Sequence, residues 1–517
     1  MPLQEFLDSL PVLVPQQEVL QPYIPTVVGN VDYREWKKTL ERMDEILRLG
    51  KAEESFLRLS LARREERERT LAAAEDRPAH QLTPVEQASF QQRSSRALRC
   101  HLARTLTGEG FRPFARRLAE SPLLQRFCQL SSLDQVRIPG KSELQRYTEW
   151  LPEEDLRKVV DTLLTAAACP GGAEGRQMIE LQEPLDLEAY FLDTTCVKLN
   201  IHFPVDWVLL RDAMRTLMKA TILIRKRGLK VRMEEPERFL RRMNRLCIEM
   251  THSRRKKDGK RLRKATLRGM KKLSKVIAGH AQRHRDLLEQ CWTETDLTQG
   301  QAQQIIDRIE VILERLPYAI RQAHERIIGE RRVLNEEKIL SLYEGHAAVY
   351  VRGKAGAEVE FGSQLLLGEN QAGLIVDWEL VLGHPQADTK LLGRSLERLL
   401  ENGAGQKPQS VTGDRGFDSQ ANRRLLEEER IFNAICPKSP QELRRRMKEQ
   451  RFADLQQRRS QTEARVAIFK NCFLGSRLLS KGHSRQKRQV AWAVLTHNLW
   501  LIARLERQER RVLRKAG

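Results

Sequence analysis

Val411-Thr412-Gly413-Asp414-Arg415-Gly416-Phe417 reads as the end of a buried strand, a tight glycine-flanked turn, and an acid at the strand's exit. The stretch it opens runs to Lys470 and closes with a helical pattern that carries Arg459, Glu463 and Lys470. With about 100° per residue, steps of four and eleven from Arg459 bring all three within an arc of about 40°. One carboxylate between two cations on one helix face suits a group that holds a metal while its neighbours hold phosphate. A further acid, Asp193, lies in Tyr190-Phe191-Leu192-Asp193-Thr194-Thr195, inside another strand-like run.

Composition narrows the partner. The chain has 517 residues, enough for three or four domains, and carries a net charge of +22. So large an excess of Lys and Arg favours a polyanion, either nucleic acid or an anionic membrane surface. No apolar run is long enough to span a bilayer, and the N-terminus lacks the basic-then-apolar order of a signal peptide. A soluble, cytoplasmic protein with no membrane partner is therefore expected, and nucleic acid becomes the expected polyanion. The eight cysteines never form a C-x-x-C pair, so neither a zinc site nor a disulfide framework is indicated. Aromatics make up only 6%, which argues against a single-strand binder built on stacking platforms.

The periodicity divides the chain. The first thirty or so residues are proline-rich and read as an irregular arm. Trp36, Leu40, Met43 and Leu47 recur at helical spacing, so residues 33–75 read as one or two helices, with a linker from Asp76 to Pro84. Residues 85–165 are helical in pattern. There Leu123–Cys128 reads as a helix ending at Ser131-Ser132, followed by a turn through Ile138-Pro139-Gly140. Ser142 is the expected N-cap of a helix carrying Leu144, Tyr147 and Leu151. With Lys141, Gln145 and Arg146 near its start, this pair is compatible with a helix-turn-helix DNA reader, and equally with an ordinary helical hairpin.

Leu187 to Ile201 reads as a central strand, apolar on both faces. Residues 207–340 are almost wholly helical and contain Arg254, Arg255, Lys256, Lys257, Lys260, Arg261, Arg263 and Lys264, then Arg268, Lys271, Lys272 and Lys275. Asp258 is the only acid in that run, and a run so one-sided repels itself unless a polyanion lies against it. Beyond Leu342, strands are expected at Ala357–Phe361, Gln364–Leu367, Leu374–Leu382, Ser410–Thr412 and Ile431–Cys436. Helices are expected at Asp388–Leu400, stopped by Asn402-Gly403, at Ser419–Glu429 and around Glu463. The C-terminal segment reads as helical with a basic tail.

With the helical insert removed, the order is β-β-β-α-β-α-β-α, that of the ribonuclease H-like fold. The expected fold class is therefore α/β. It has a ribonuclease H-like core of five mixed strands with flanking helices, an all-α N-terminal region and a large all-α insertion after the first strand. The expected division is 1–84 as arm and helices and 85–180 as a helix-turn-helix-like DNA-binding region. Residues 181–206 with 341–475 form the catalytic domain, 207–340 the basic helical insertion, and 476–517 a C-terminal helical segment. In such a fold the first and fourth strands are neighbours, so Asp193 and Asp414 would meet and Glu463 would approach from the packed helix. Three carboxylates at one point need a cation to remain ionised together, and hard oxygen ligands suit Mg²⁺ or Mn²⁺. Two ions roughly 3.5–4 Å apart would serve phosphodiester cleavage, with Asp193 bridging them and Asp414 and Glu463 each completing one.

These blocks resemble those of the DDE transposases of bacterial insertion sequences. Leu192-Asp193-Thr194-Thr195, followed by Asn200-Ile201-His202-Phe203-Pro204-Val205-Asp206 and Leu209-Leu210, resembles the first-acid block. Gly353-Lys354-Ala355 with Val359-Glu360-Phe361-Gly362 resembles a second block, and Gly413-Asp414-Arg415-Gly416-Phe417 the second-acid block. A subgroup carries Y-x2-R-x3-E-x6-K around its third acid. Here those positions are Gln456, Arg459, Glu463 and Lys470, so glutamine replaces the tyrosine. The usual insertion of that subgroup follows the fifth strand, whereas this chain carries its insert after the first.

The resemblance implies a Mg²⁺-dependent enzyme that binds double-stranded DNA at inverted repeats, cuts the element ends and joins the 3′ ends to target DNA as a homo-oligomer in a bacterial, nucleoid-associated setting. It makes Asp193, Asp414 and Glu463 the catalytic metal ligands. Arg459, Lys470 and Arg415 become phosphate contacts, together with the basic run and Lys141, Gln145 and Arg146. The rival readings are a catalytically silent DNA-binding regulator and a structure-selective nuclease of the same fold. Asp377 and Asp388 compete for the second-acid role, and Asp388 also suits a helix start. Trp378 reads as a core residue. His280 and His284 have metal-like spacing but no evident third ligand.

Overall fold

The computed structural model describes residues 3–15, 23–131, 135–168, 179, 181–183, 185–186, 188–354, 357–402 and 407–505. The expectations placed on Ser132, Leu187, Ala355, Gly403 and the basic tail lie outside them. The chain forms two compact units. One comprises residues 1–197, 364–381 and 386–517, and the other residues 198–363 and 382–385.

The first unit begins with helices. Val31–Leu49 and Ala52–Ala74 are the two expected from the spacing of Trp36 to Leu47, and the Asn30 side chain caps the first by accepting from the Tyr33 N–H. Thr83 and Glu86 form a reciprocal capping box that starts Pro84–Thr107. Shorter helices follow at Phe111–Glu120, Pro122–Phe127 and Lys141–Tyr147, then Glu153–Ala168. The Lys141 helix corrects one expectation. Its N-cap is Gly140, Ser142 lies inside it, and it ends at Tyr147, so Leu151 falls beyond it. Seven residues bury only Leu144 and Tyr147, which is too short a face to extend the helix further.

The sheet of this unit is built from β1 (Ala189–Lys198), whose last residue begins the other unit, the trailing part of β3 (Ala357–Glu369), β4 (Ile375–Leu380), β5 (Ser410–Thr412) and β6 (Phe432–Asn433). β4 pairs antiparallel with β3, β3 neighbours β1, and β1 pairs in parallel with β5, which pairs in parallel with β6. The Tyr190↔Val411 and Phe191↔Thr412 register brings the middle of β1 level with the end of β5. Helices Asp388–Asn402, Gln420–Glu428, Gln450–Ile468 and His483–Ile502 complete the unit. Tyr190, Leu192, Leu366, Leu391, Leu392, Leu396, Val411, Phe417, Leu426 and Ile435 form a continuous buried cluster between strands and helices.

A polar lock holds β1 in this core. The Tyr190 hydroxyl lies 2.6 Å from Ser395 Oγ, and Ser395 donates to Asp377 Oδ2 at 2.6 Å. Arg398 and Arg157 also bond to the buried Asp377 carboxylate. A β-carbon on Gly368 would fall 2.0 Å from the Tyr190 hydroxyl oxygen, so only glycine lets the tyrosine cross β3. Trp378 is buried as expected, with the Arg157 guanidinium 3.8 Å from its ring centroid.

The second unit is dominated by four helices, Asp206–Lys226, Pro236–His252, Gly259–Cys291 and Gln299–Ile327, around their own apolar core. Asp206 is buried at the start of the first and is held by Arg326 and Gln322. β2 (Ala348–Lys354) pairs antiparallel with the leading part of β3. No strand is expected from the sequence over this stretch, and β3 runs straight through the break expected at residues 362–363. Gly362 pairs with Ala348 of β2 and Ser363 is buried, so the small residues do not interrupt the strand.

Candidate active site

Asp193 lies in the middle of β1 and Asp414 immediately after β5, so the parallel register carries the two acids toward the same end of the sheet. Asp414 opens a single 3-10 turn, Arg415–Phe417, and its Oδ1 accepts from the Gly416 N–H at 2.8 Å. A β-carbon on Gly416 would stand 2.5 Å from Asp388 Oδ2 and 2.9 Å from Asp414 Oδ1. The glycine is therefore what allows a second acid, Asp388, to come up beside Asp414.

The electrostatics link four carboxylates. Asp193 is half-buried, and burial is the main reason its carboxyl is pushed up to about 6. The Thr194 N–H, donating to Asp193 Oδ1 at 2.8 Å, opposes that rise; Asp414 and Glu463 reinforce it, and the Arg459 guanidinium lowers it. Asp388 is also raised, first by burial and then by Asp414, against hydrogen bonds from Thr194 and Gln364. The Thr194 hydroxyl donates to Asp388 Oδ1 at 2.9 Å, and the Gln364 amide at 3.2 Å. Asp388, which sequence reasoning set aside as a helix-start residue, thus stands beside Asp414. Its signal was present in the adjacency of Thr194 to Asp193, but a hydroxyl's partner is invisible without the fold.

Among the described residues, no group of three or more His, Cys, Asp or Glu side chains is close enough as it stands to hold a metal ion. Asp414 and Glu463 bear on Asp193, Asp414 also bears on Asp388, and all four present only carboxylate oxygens. Carboxylate oxygens are the donors that hard cations such as Mg²⁺ or Mn²⁺ take.

The helix Gln450–Ile468 brings the remaining groups. Arg458 and Arg459 are neighbours with opposite tasks. Arg458 is buried, pairs with Glu369 at 3.0 Å and lies 4.5 Å from the Phe191 ring centroid, pinning the helix to the sheet. Arg459 is half-buried on the acid-facing side, and Glu463 is exposed one turn further on. Lys470 departs from the regular-helix arc. The α-helix ends at Ile468 and the chain continues as a π-helical turn, Phe469–Leu474. The Lys470 ammonium donates to the Cys196 carbonyl at 2.6 Å and to Thr195 Oγ1 at 3.1 Å, both on β1. Arg415 is exposed beside Asp414, and Lys141, Gln145 and Arg146 are exposed on their short helix.

In the second unit, Arg255, Lys256, Lys257, Lys260 and Arg261 are exposed, while Arg263 and Lys264 are half-buried. The side chain of Arg254 lies outside the described residues. The run is less one-sided than its sequence. Glu330 pairs with Lys264 at 2.8 Å and Lys260 at 3.3 Å, and Arg263 donates to the Gly259 carbonyl. His284 is a satisfied core residue. Its Nδ1 bonds the His280 carbonyl at 2.8 Å and its Nε2 accepts from the Val231 N–H at 3.4 Å.

Residues 351–499 match the family model of the transposase DDE domain. The match spans Asp388, Asp414 and Glu463 and supports a DDE transposase; Asp193 lies before it. No curated protein and no solved structure matched the chain. No helix among the described residues is long and apolar enough to cross a membrane.

Proposed function

We propose that this protein is an insertion-sequence transposase that binds the terminal inverted repeats of its element, cuts the element ends and joins their 3′ ends to target DNA. One observation carries the reading above all. Asp193 on β1 feels the charge of both Asp414 and Glu463, which come from distant parts of the sequence. The β4-β3-β1-β5-β6 strand adjacency supports a ribonuclease H-like core, and the family match supports the transposase class.

Bound divalent cations would activate the attacking oxygen and offset charge on the leaving 3′ oxygen. The protein's share is to hold and orient. Asp193, Asp414 and Glu463 are the residues that would hold the cations. Gly416 fixes the Asp414 rotamer through its N–H. Arg459 and Arg415 supply positive charge for the scissile phosphate, and Lys470 holds the helix end to β1 beside it. The helices before residue 165, including Lys141, Gln145 and Arg146, read the ends. The basic run of the second unit binds phosphates without regard to sequence. Two ends must be brought together, so a homo-oligomer acts, in the bacterial cytoplasm.

The test is cleavage of labelled DNA carrying the flanking repeats, with Mg²⁺ and with EDTA, by wild type and Glu463→Gln. A Mg²⁺-dependent nick at the repeat tip that disappears in the variant supports the proposal. Binding without cleavage by both proteins favours a regulator, and cutting that ignores the end sequence favours a nuclease.

A further inference from the structure

We infer that Gln456 is a positioning residue that aims the Arg459 guanidinium at the acid cluster. This inference rests on the function proposed above for its consequence, though not for its geometry. Gln456 and Arg459 lie three residues apart on the Gln450–Ile468 helix, adjacent on its surface. The Gln456 Nε2 donates to the Ala434 carbonyl at 2.6 Å. Its Oε1 accepts from Arg459 Nε at 3.1 Å. The two bonds determine the orientation of the amide. A carbonyl partner can only be met by the NH₂ end, so the oxygen must face the arginine.

Ala434 is itself fixed. Its N–H donates to the Val411 carbonyl at 2.8 Å, and the Cys436 N–H donates to the Gly413 carbonyl at 3.0 Å. Gln456 therefore ties Arg459 to the same backbone ladder that ends at Asp414. With Nε engaged, the guanidinium plane is set and its two Nη groups are turned outward as a fork. That fork is the geometry that receives two oxygens of a phosphate. A free arginine of this length would sample many rotamers and lose that orientation on each. Arg459 stands one turn before Glu463 on the same face of this helix, which places the fork beside that acid. Glutamine at this position divides the two tasks between two atoms, its NH₂ for the Ala434 carbonyl and its oxygen for Arg459.

The experiment uses the full chain in two arms. In the first, solvent exchange of the Arg459 Nε–H is followed by ¹⁵N NMR of arginine-labelled protein. The hydrogen bond predicts exchange roughly tenfold or more faster in Gln456→Leu than in wild type. Gln456→Glu keeps an acceptor toward Arg459 and should retain the protection. Unchanged exchange in Gln456→Leu overturns the inference; because a carboxylate cannot donate to the Ala434 carbonyl, protection kept in Gln456→Glu traces the effect to the acceptor facing Arg459. In the second arm, the salt dependence of DNA binding is measured in Glu463→Gln protein, so that no cleavage occurs. Gln456→Leu and Arg459→Ala should each lower the slope by about 0.9, and the double variant should fall no further. Full addition of the two effects, or an unaltered slope in Gln456→Leu, overturns it. If wild type makes no Mg²⁺-dependent cut, the proposed function falls while the exchange result still decides the positioning.

Discussion

Two regions of this protein crowd like charges, and they manage them differently. At the end of the sheet, four carboxylates approach through burial, a glycine and fixed hydrogen-bond donors. In the second unit, the basic run lies along a helix, mostly in solvent, and borrows one glutamate from a distant turn. The first arrangement costs stability and is held by the fold. The second costs little, since exposed like charges are screened by salt and spread over several turns. Crowding that the fold enforces against burial marks chemistry, whereas crowding that solvent tolerates marks a surface for a polyanion.

That contrast can be broken most directly at Glu463. Glu463→Gln should lower Mg²⁺-dependent cleavage by at least about 100-fold, the upper end of the range for changes one shell further from a metal. DNA binding should persist. Cleavage within threefold of wild type would remove Glu463 from the site. Gly416→Ala comes next. Its β-carbon must push Asp388 or Asp414 aside, so unfolding free energy should drop by roughly 1–3 kcal/mol, with activity falling further than stability explains. Chemical denaturation and cleavage assays, run in parallel, separate the two.

The raised carboxyl of Asp193 gives a pH signature. In the native state it holds its proton to about 6, above its ordinary value of 3.8. The stabilising contribution is complete below the ordinary value and is lost as pH rises through the native one. Without divalent cations, stability should therefore fall by roughly 1–3 kcal/mol between pH 4 and pH 7. Asp193→Asn should flatten that fall in urea unfolding curves, and a slope identical to wild type would show the acid is not under such pressure. The smallest stability effect belongs to the basic run. Lys260→Glu with Lys264→Glu should change unfolding free energy by less than about 1 kcal/mol, since Lys260 is mostly exposed. The same pair should reduce the salt slope of binding by roughly 1.8 for any DNA sequence. A loss confined to the element's own ends would turn the run from a backbone grip into a sequence reader.

The sequence points to its candidate acids because each is tied to a local pattern. Asp414 sits in a glycine-flanked exit, Asp193 in an apolar strand and Glu463 at helical spacing. Long-range partners were not legible. Glu330 lies far along the chain from Lys264, and nothing in the run of lysines points to it. Asp388 looked like a helix-start acid because its two donors, Thr194 and Gln364, come from other strands. Gln456 appeared only as a missing tyrosine, since its two hydrogen bonds need both a neighbouring strand and a neighbouring turn. The Ser142 cap failed for a different reason. Glycine and serine both suit a cap, and only the backbone path through residue 140 chose between them.

The π-helical turn at Phe469–Leu474 changes what a spacing in a motif means. Six residues between Glu463 and Lys470 are a count along a string, yet here part of that count is spent on a wider coil. A lineage that gained or lost one residue in this turn would rotate a different side chain onto Thr195 and the Cys196 carbonyl, while the helix Gln450–Ile468 stayed in place. Insertions and deletions here would therefore behave as point changes of chemistry, and an alignment that slid a single gap across the turn would exchange a lysine for a neighbour without disturbing any other column.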